Sequence, residues 1–269
     1  MSDPPAGGTV RLAARLEGPD GAPAVVLGNP LGTTSTIWDA QAAVLRRRFR
    51  LLRYELRGHG APGARSPAPP GPYSIAELAA DVLGLLGEHD ITSAAYCGVS
   101  LGGMIGIWLA AHAPERISSL AACCTATIPM PSRQAWLDRA ALVRAGGPAA
   151  ISDMVRPRLF TPGFVARAPA AVARVMDMLH GTDPEGYAGC AEAIAGMDLR
   201  PALASVTAPA LVIAGAEDPA APPWQAARTA AAIAGARLRV IRGTSHLALY
   251  QTPGPVTDAI LAHLDATLR

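Results

Sequence analysis

One stretch constrains this chain more than any other: Cys97-Gly98-Val99-Ser100-Leu101-Gly102-Gly103. A short apolar run, Ala94-Ala95-Tyr96-Cys97, leads into it. A run rich in helix formers, from Met104 to His112, leads out. The pattern predicts a strand, a tight turn spelling G-x-S-x-G, and a helix. Such a turn strains the backbone of its serine, and Gly98 and Gly102 tolerate the crowding because they carry no Cβ. The strain aims the Ser100 hydroxyl out of the sheet, and the Leu101 N–H, at a helix start, faces the same space. A nucleophile and one anion-stabilising donor thus come from a single turn. Two blander readings compete. The pattern arises by chance in glycine-rich chains. Residues 94–113 also hold no formal charge and approach the length of a bilayer span, though glycines and Ser100 interrupt it.

The 269 residues suit one α/β domain with an insertion, or two small domains, and the half that are hydrophobic can bury a large core. A net charge of +2 implies neither nucleic acid nor an anionic membrane as a partner. Cys97, Cys123, Cys124 and Cys190 lack metal-ligand spacing, and the adjacent pair makes a poor disulfide framework. Residues Met1 to Gly8 are polar and rich in Pro and Gly, without a leader pattern, so a reducing cytoplasm is the expected compartment.

The rest of the chain alternates. Val10 to Leu16 has the side-chain alternation of an antiparallel edge strand, and Ala24 to Leu27 is a short buried strand. The latter ends in the small-residue loop Gly28-Asn29-Pro30-Leu31-Gly32-Thr33-Thr34. Ile37 to Arg48 reads as a helix with a basic end, and Arg50 to Leu56 as a strand. Arg57-Gly58-His59-Gly60 follows as a loop whose histidine fits a role in fixing its own backbone. Ser74 and Glu77 form a capping box for a helix with Ile75, Leu78, Val82, Leu85 and Leu86 on one face. Ile117 to Cys123 is a further strand. From about Pro129 to Arg200 only helical patterns occur: Gln134 to Arg144, Ala149 to Arg158, Pro169 to His180 and Pro184 to Ala195. Residues 1–128 and 201–269 are therefore expected to form a sheet domain, and residues 129–200 a helical cap walling a pocket. Strands at Ala210 to Ala214 and Arg237 to Ile241, with helices at Pro223 to Ala234 and Pro255 to Leu268, complete the sheet domain.

A serine hydroxyl needs a base, and the base needs a group that orients it. Asp218 and His246 each lie just past a strand, giving the order serine, acid, histidine. Glu217 is the rival acid. Asp218 is preferred because its shorter side chain has fewer rotamers to freeze and Pro219 restricts its backbone. Leu31 is the candidate second donor to an oxyanion, since Pro30 has no N–H. Ser100, Asp218 and His246 would then transfer an acyl group, with Leu31 and Leu101 binding the oxyanion, and no metal or organic cofactor is called for. His89, His112, His180 and His263 sit in helices or at their ends and read as surface or packing residues.

With these residues placed, the chain resembles the 3-oxoadipate enol-lactonase family of α/β-hydrolases over nearly its whole length. The resemblance rests on the elbow, on Leu31-Gly32-Thr33-Thr34 with Trp38, and on Arg57-Gly58-His59-Gly60 and Gly71-Pro72-Tyr73-Ser74-Ile75. It continues through Ala113-Pro114-Glu115-Arg116-Ile117 and the cap phrases Phe160-Thr161-Pro162, Thr182 to Tyr187 and Met197-Asp198-Leu199-Arg200. It implies a mostly parallel sheet flanked by helices, a helical cap, and a serine hydrolase that opens a small lactone bearing a carboxylate. Arg133 and Arg139, near Trp136, are the candidates to meet that carboxylate. The chain departs from the family pattern at Pro30, Cys124, Ile128 and Leu159, and across Ala248 to Pro253. The loss of polar groups there keeps open another ester, lactone or polyketide-like substrate, and a non-catalytic ligand-binding relative. The partner implied is a small molecule, not nucleic acid or membrane, and a homo-oligomer is compatible with the sequence.

Overall fold

The computed structural model describes residues 8–268. The reading of Met1 to Gly8 as free of a leader thus lies outside the described residues, apart from Gly8. The apolar runs become seven strands: β1 (Ala14–Glu17), β2 (Ala24–Gly28), β3 (Arg50–Tyr54), β4 (Ala94–Val99), β5 (Ile117–Cys123), β6 (Ala210–Gly215) and β7 (Arg237–Ile241). They form one sheet in the order β1-β3-β2-β4-β5-β6-β7, with β1 antiparallel to β3 and every other pair parallel. β4 and β6 are buried along their whole length, as continuous apolar strands covered on both faces should be. At the edges, β1 and the outer part of β7 are largely open to solvent.

The helices are α1 (Asp39–Leu45), α2 (Ile75–Glu88), α3 (Leu101–His112), α4 (Arg133–Gly146), α5 (Ser152–Leu159), α6 (Pro162–Arg167), α7 (Pro169–His180), α8 (Pro184–Gly196), α9 (Pro223–Ala232), α10 (Ala248–Gln251) and α11 (Pro253–Thr267). The capping box of α2 forms as its sequence requires: the Glu77 N–H donates to Ser74 Oγ, and the Ser74 N–H donates to Glu77 Oε2. The five apolar residues expected to share its face are all buried. The helix expected over Ile37 to Arg48 is shorter. Residues Ser35–Trp38 form a 3₁₀ turn, and the chain leaves α1 before the arginine triplet. The cause is Phe49, which is buried and must be brought under the sheet before β3 begins. α6 and α10 carry no strong helical pattern of their own in the sequence. No helix among the described residues is long and apolar enough to cross a membrane, and the uncharged stretch at 94–113 divides into β4 and α3.

Two features place the site. The chain runs from β2 outward to β3, then returns to add β4 on the other side of β2. The carboxyl ends of β2 and β4 therefore flank a topological switch point, where α/β sheets bind ligands. Register sets Gly28 beside Gly98, and Val99 beside Cys123, so the loops after these strands emerge together. Helices α4 to α8, with no strand between them, fill the connection from β5 to β6 on that side.

Candidate active site

Ser100 joins β4 to α3 with φ 53° and ψ −117°, a region where L-residues are strained. Glycines make the turn possible. A Cβ on Gly98 would run into the Gly102 backbone, and one on Gly102 into that of Gly28. The Ser100 N–H donates to the Cys123 carbonyl at 3.0 Å, and the Thr125 hydroxyl donates to the Ser100 carbonyl at 2.8 Å. The backbone is thus tied down and the side chain left free for chemistry.

His246, in the loop after β7, reaches Ser100 Oγ through Nε2 at 2.9 Å and Asp218 Oδ2 through Nδ1 at 2.8 Å. Because a carboxylate only accepts, the Nδ1–H is the donor to Asp218, which leaves Nε2 to accept from the Ser100 hydroxyl. Asp218 is buried, and its other oxygen accepts the N–H groups of Ala220 and Ala221 at 2.8 and 2.9 Å. Glu217 is exposed, so the structure pairs the histidine with the shorter acid. The second segment expected at the oxyanion is held against the elbow, where the Gly102 N–H donates to the Asn29 carbonyl at 3.0 Å. Leu31, two residues on, lines the same cavity as Ser100 and His246. Leu101 opens α3, where its N–H has no intrahelical acceptor.

These groups open into a cavity of about 610 Å³, its mouth included, walled mainly by apolar side chains such as Met104, Ile128, Met130 and Leu159. Two arginines break that wall. Arg139 lies over the rings of Trp136 and Tyr187, at 4.8 and 5.5 Å from their centroids, and its buried Nε has no hydrogen-bond partner among the described residues. Trp136 is fixed by an Nε1–H bond of 3.0 Å to the Met130 carbonyl. Arg158 is half-buried, and burial together with repulsion from Arg139 lowers its pKa from the usual range. Arg133 is not brought to the site. It stands exposed in the first turn of α4 and does not line the cavity. Sequence reasoning missed Arg158, although a signal existed. It falls on the same helical stripe as the buried Ile151 and Val155, where a lone cation needs a reason.

The cysteines and His263 lie away from this chemistry. All four cysteines are free and buried, and burial pushes the Cys97 and Cys124 thiols up to about 12, away from reactivity. His263 bonds to Ser119 at 2.8 Å and pins α11 to β5. No cluster of His, Cys, Asp or Glu among the described residues is arranged to hold a metal ion.

Comparison with known proteins agrees with this fold. A family model described as alpha/beta hydrolase fold matches residues 23–253. The chain is 42% identical over 197 residues to 3-oxoadipate enol-lactonase 2 of Acinetobacter baylyi, covering 73% of this chain and 72% of that protein. It is 32% identical over 208 residues to 3-oxoadipate enol-lactonase 1 of the same organism, covering 77% and 76%. The crystal structure of the enol-lactonase from Burkholderia xenovorans LB400 superimposes with a TM-score of 0.90 at 41% identity, over 94% of this chain and 96% of that one. The chain belongs to the 3-oxoadipate enol-lactonase family of the α/β-hydrolase superfamily.

Proposed function

We propose that this chain is a serine hydrolase that opens a small lactone carrying a free carboxylate, with 3-oxoadipate enol-lactone as substrate and 3-oxoadipate as product. The observation that carries the reading is the Ser100–His246–Asp218 chain of hydrogen bonds opening into an apolar cavity that holds two arginines. In this reading Ser100 Oγ attacks the lactone carbonyl while His246 Nε2 takes its proton. Asp218 holds the imidazole tautomer and stabilises the imidazolium. The N–H groups of Leu31 and Leu101 bind the oxyanion. The carbonyl re-forms as the ring C–O bond breaks, His246 protonates the departing enol oxygen, and the enol becomes the ketone. Water, activated by the same histidine, then releases the acid from Ser100. Arg139, over Trp136, and Arg158 meet the free carboxylate, and helices α4 to α8 act as the cap over the pocket. Ser100→Ala is expected to abolish hydrolysis of the enol-lactone in a protein that remains folded, and retained turnover would defeat the mechanism.

A second substrate class, neutral esters, is favoured by the apolar Ile128, Met130 and Leu159 in the wall. The ratio of kcat/KM for the enol-lactone to that for p-nitrophenyl acetate separates the two. A ratio well above one supports the lactone, and a ratio below one supports the neutral ester.

A further inference from the structure

The loop Arg57-Gly58-His59-Gly60 takes no part in the chemistry above, yet it touches both the segment that supplies Leu31 and the helices that wall the pocket. His59 is fully buried, and its Nδ1 lies 2.8 Å from the Arg57 carbonyl. A carbonyl only accepts, so Nδ1 carries the proton and Nε2 keeps a lone pair. That lone pair accepts the Gly32 N–H at 2.9 Å. Gly32 follows Leu31 directly and has φ +75° with no Cβ, so its own conformation does little to hold the loop. Other bonds hold the loop on either side: the Gly102 N–H to the Asn29 carbonyl, and the Ser35 N–H to the Glu55 carboxylate at 3.0 Å. Between them, His59 holds the peptide plane next to the proposed oxyanion donor.

The far side of the same loop is also fixed. Arg57 makes a two-pronged bond to Asp81, with Nε to Oδ2 at 2.6 Å and Nη2 to Oδ1 at 2.9 Å. The Gly58 carbonyl accepts the N–H of Asp183, the residue whose side chain caps α8, at 2.9 Å. Gly58 and Gly186 approach so closely that a Cβ on Gly58 would stand 2.7 Å from Gly186 Cα. The start of α8 is thus joined to His59 through Gly58 alone.

We infer that His59 is a positioning residue for catalysis: its Nε2 holds Gly32, and through it the Leu31 N–H, at the oxyanion position, and its loop transmits the seating of α8 to that donor. The inference rests on the hydrolase reading. Burial lowers the imidazole pKa to about 4, so the accepting lone pair persists at neutral pH.

The test compares wild type with His59→Leu, which has no acceptor, and His59→Gln, whose Oε1 can accept. Active serines are counted with a fluorophosphonate. Turnover of p-nitrophenyl acetate is then expressed per titrated serine, and affinity is measured for an aryl trifluoromethyl ketone, which forms an oxyanion when a serine adds to it. A donor misplaced by a fraction of an ångström predicts that His59→Leu loses roughly 10- to 100-fold in kcat per titrated serine with KM within about threefold. Ketone affinity is expected to fall in parallel, and His59→Gln to recover most of both. A lower melting temperature with unchanged kcat per titrated serine and unchanged ketone affinity would overturn the inference. Wild type provides a measurement that needs no variant: ketone binding is expected to shift the His59 Nε2 resonance in ¹⁵N NMR, and an unmoved resonance would overturn the coupling. Failure of wild type to react with the fluorophosphonate would defeat the hydrolase reading and this inference with it. A reactive wild type with an unimpaired His59→Leu variant would defeat this inference alone.

Discussion

Replacing Asp218 with Asn changes few atoms, and the structure says what those few should do. Asp218 Oδ1 accepts two backbone N–H groups, from Ala220 and Ala221, while Oδ2 accepts the Nδ1–H of His246. An asparagine amide has one oxygen and one NH₂ group. The two backbone donors claim the oxygen, so the NH₂ must face His246 Nδ1. Two donors cannot share one hydrogen bond, and the imidazole is driven to the other tautomer, with its proton on Nε2. Nε2 can then no longer accept from Ser100, 2.9 Å away. The base is lost although every atom stays in place. The corresponding change in a serine protease lowers kcat about 10⁴-fold, or roughly 5.5 kcal/mol, and the same magnitude is expected here. Steady-state hydrolysis of p-nitrophenyl acetate at neutral pH reads kcat, and thermal denaturation checks that folding is intact. A folded Asp218→Asn variant that keeps more than about one tenth of wild-type kcat would refute the claim that the tautomer controls the base.

Other perturbations should follow from the same geometry. Arg158→Met is expected to lower kcat/KM about 10- to 100-fold for the carboxylate-bearing lactone, the worth of one charge-assisted bond, while p-nitrophenyl acetate hydrolysis changes little; equal losses on both would remove the arginine from substrate recognition. Ser100→Gly should abolish turnover yet raise unfolding free energy by about 1 kcal/mol, as relief of the strain at φ 53° outweighs the added freedom of the unfolded chain, and a drop in denaturant midpoint would contradict this. Stability should also fall as pH drops from about 6.5 towards 4, because buried His59 binds its proton near pH 4 when folded but near 6.5 when unfolded. That gap corresponds to about 3 kcal/mol, gained in full above the higher value. Chemical denaturation across this range should show a flatter slope in His59→Gln, and an unchanged slope would contradict the assignment.

How much of this was legible in the sequence depends on how local each signal was. The elbow could be read because strand, glycine turn and helix occupy consecutive residues. Asp218 and His246 stood out because each follows a clear strand, and the loops after parallel strands all open on one end of the sheet. Asp218 was separated from Glu217 by its shorter side chain and by Pro219 after it, and the structure leaves Glu217 exposed. Helix ends were less legible: α1 stops early because Phe49, outside the helix, must be buried. Along α4, charge and aromatic content suggested Arg133 and Arg139 equally. Arg139 lines the cavity and Arg133, exposed at the start of the helix, does not, a tertiary placement that no short window of sequence carries. Arg158 was legible on the stripe of Ile151 and Val155, whereas the bond from Gly32 to His59 joins positions 27 apart and leaves no local pattern.

The proposed mechanism requires turnover to pass through an ester on Ser100. Rapid-quench mass spectrometry of the enzyme mixed with excess p-nitrophenyl acetate tests it most directly. A transient acetyl group is expected on the peptide containing Ser100, formed at least as fast as turnover and absent from His246→Ala within the same interval. Steady turnover with no acetylated Ser100, or with the acetyl group carried by another residue, would contradict it.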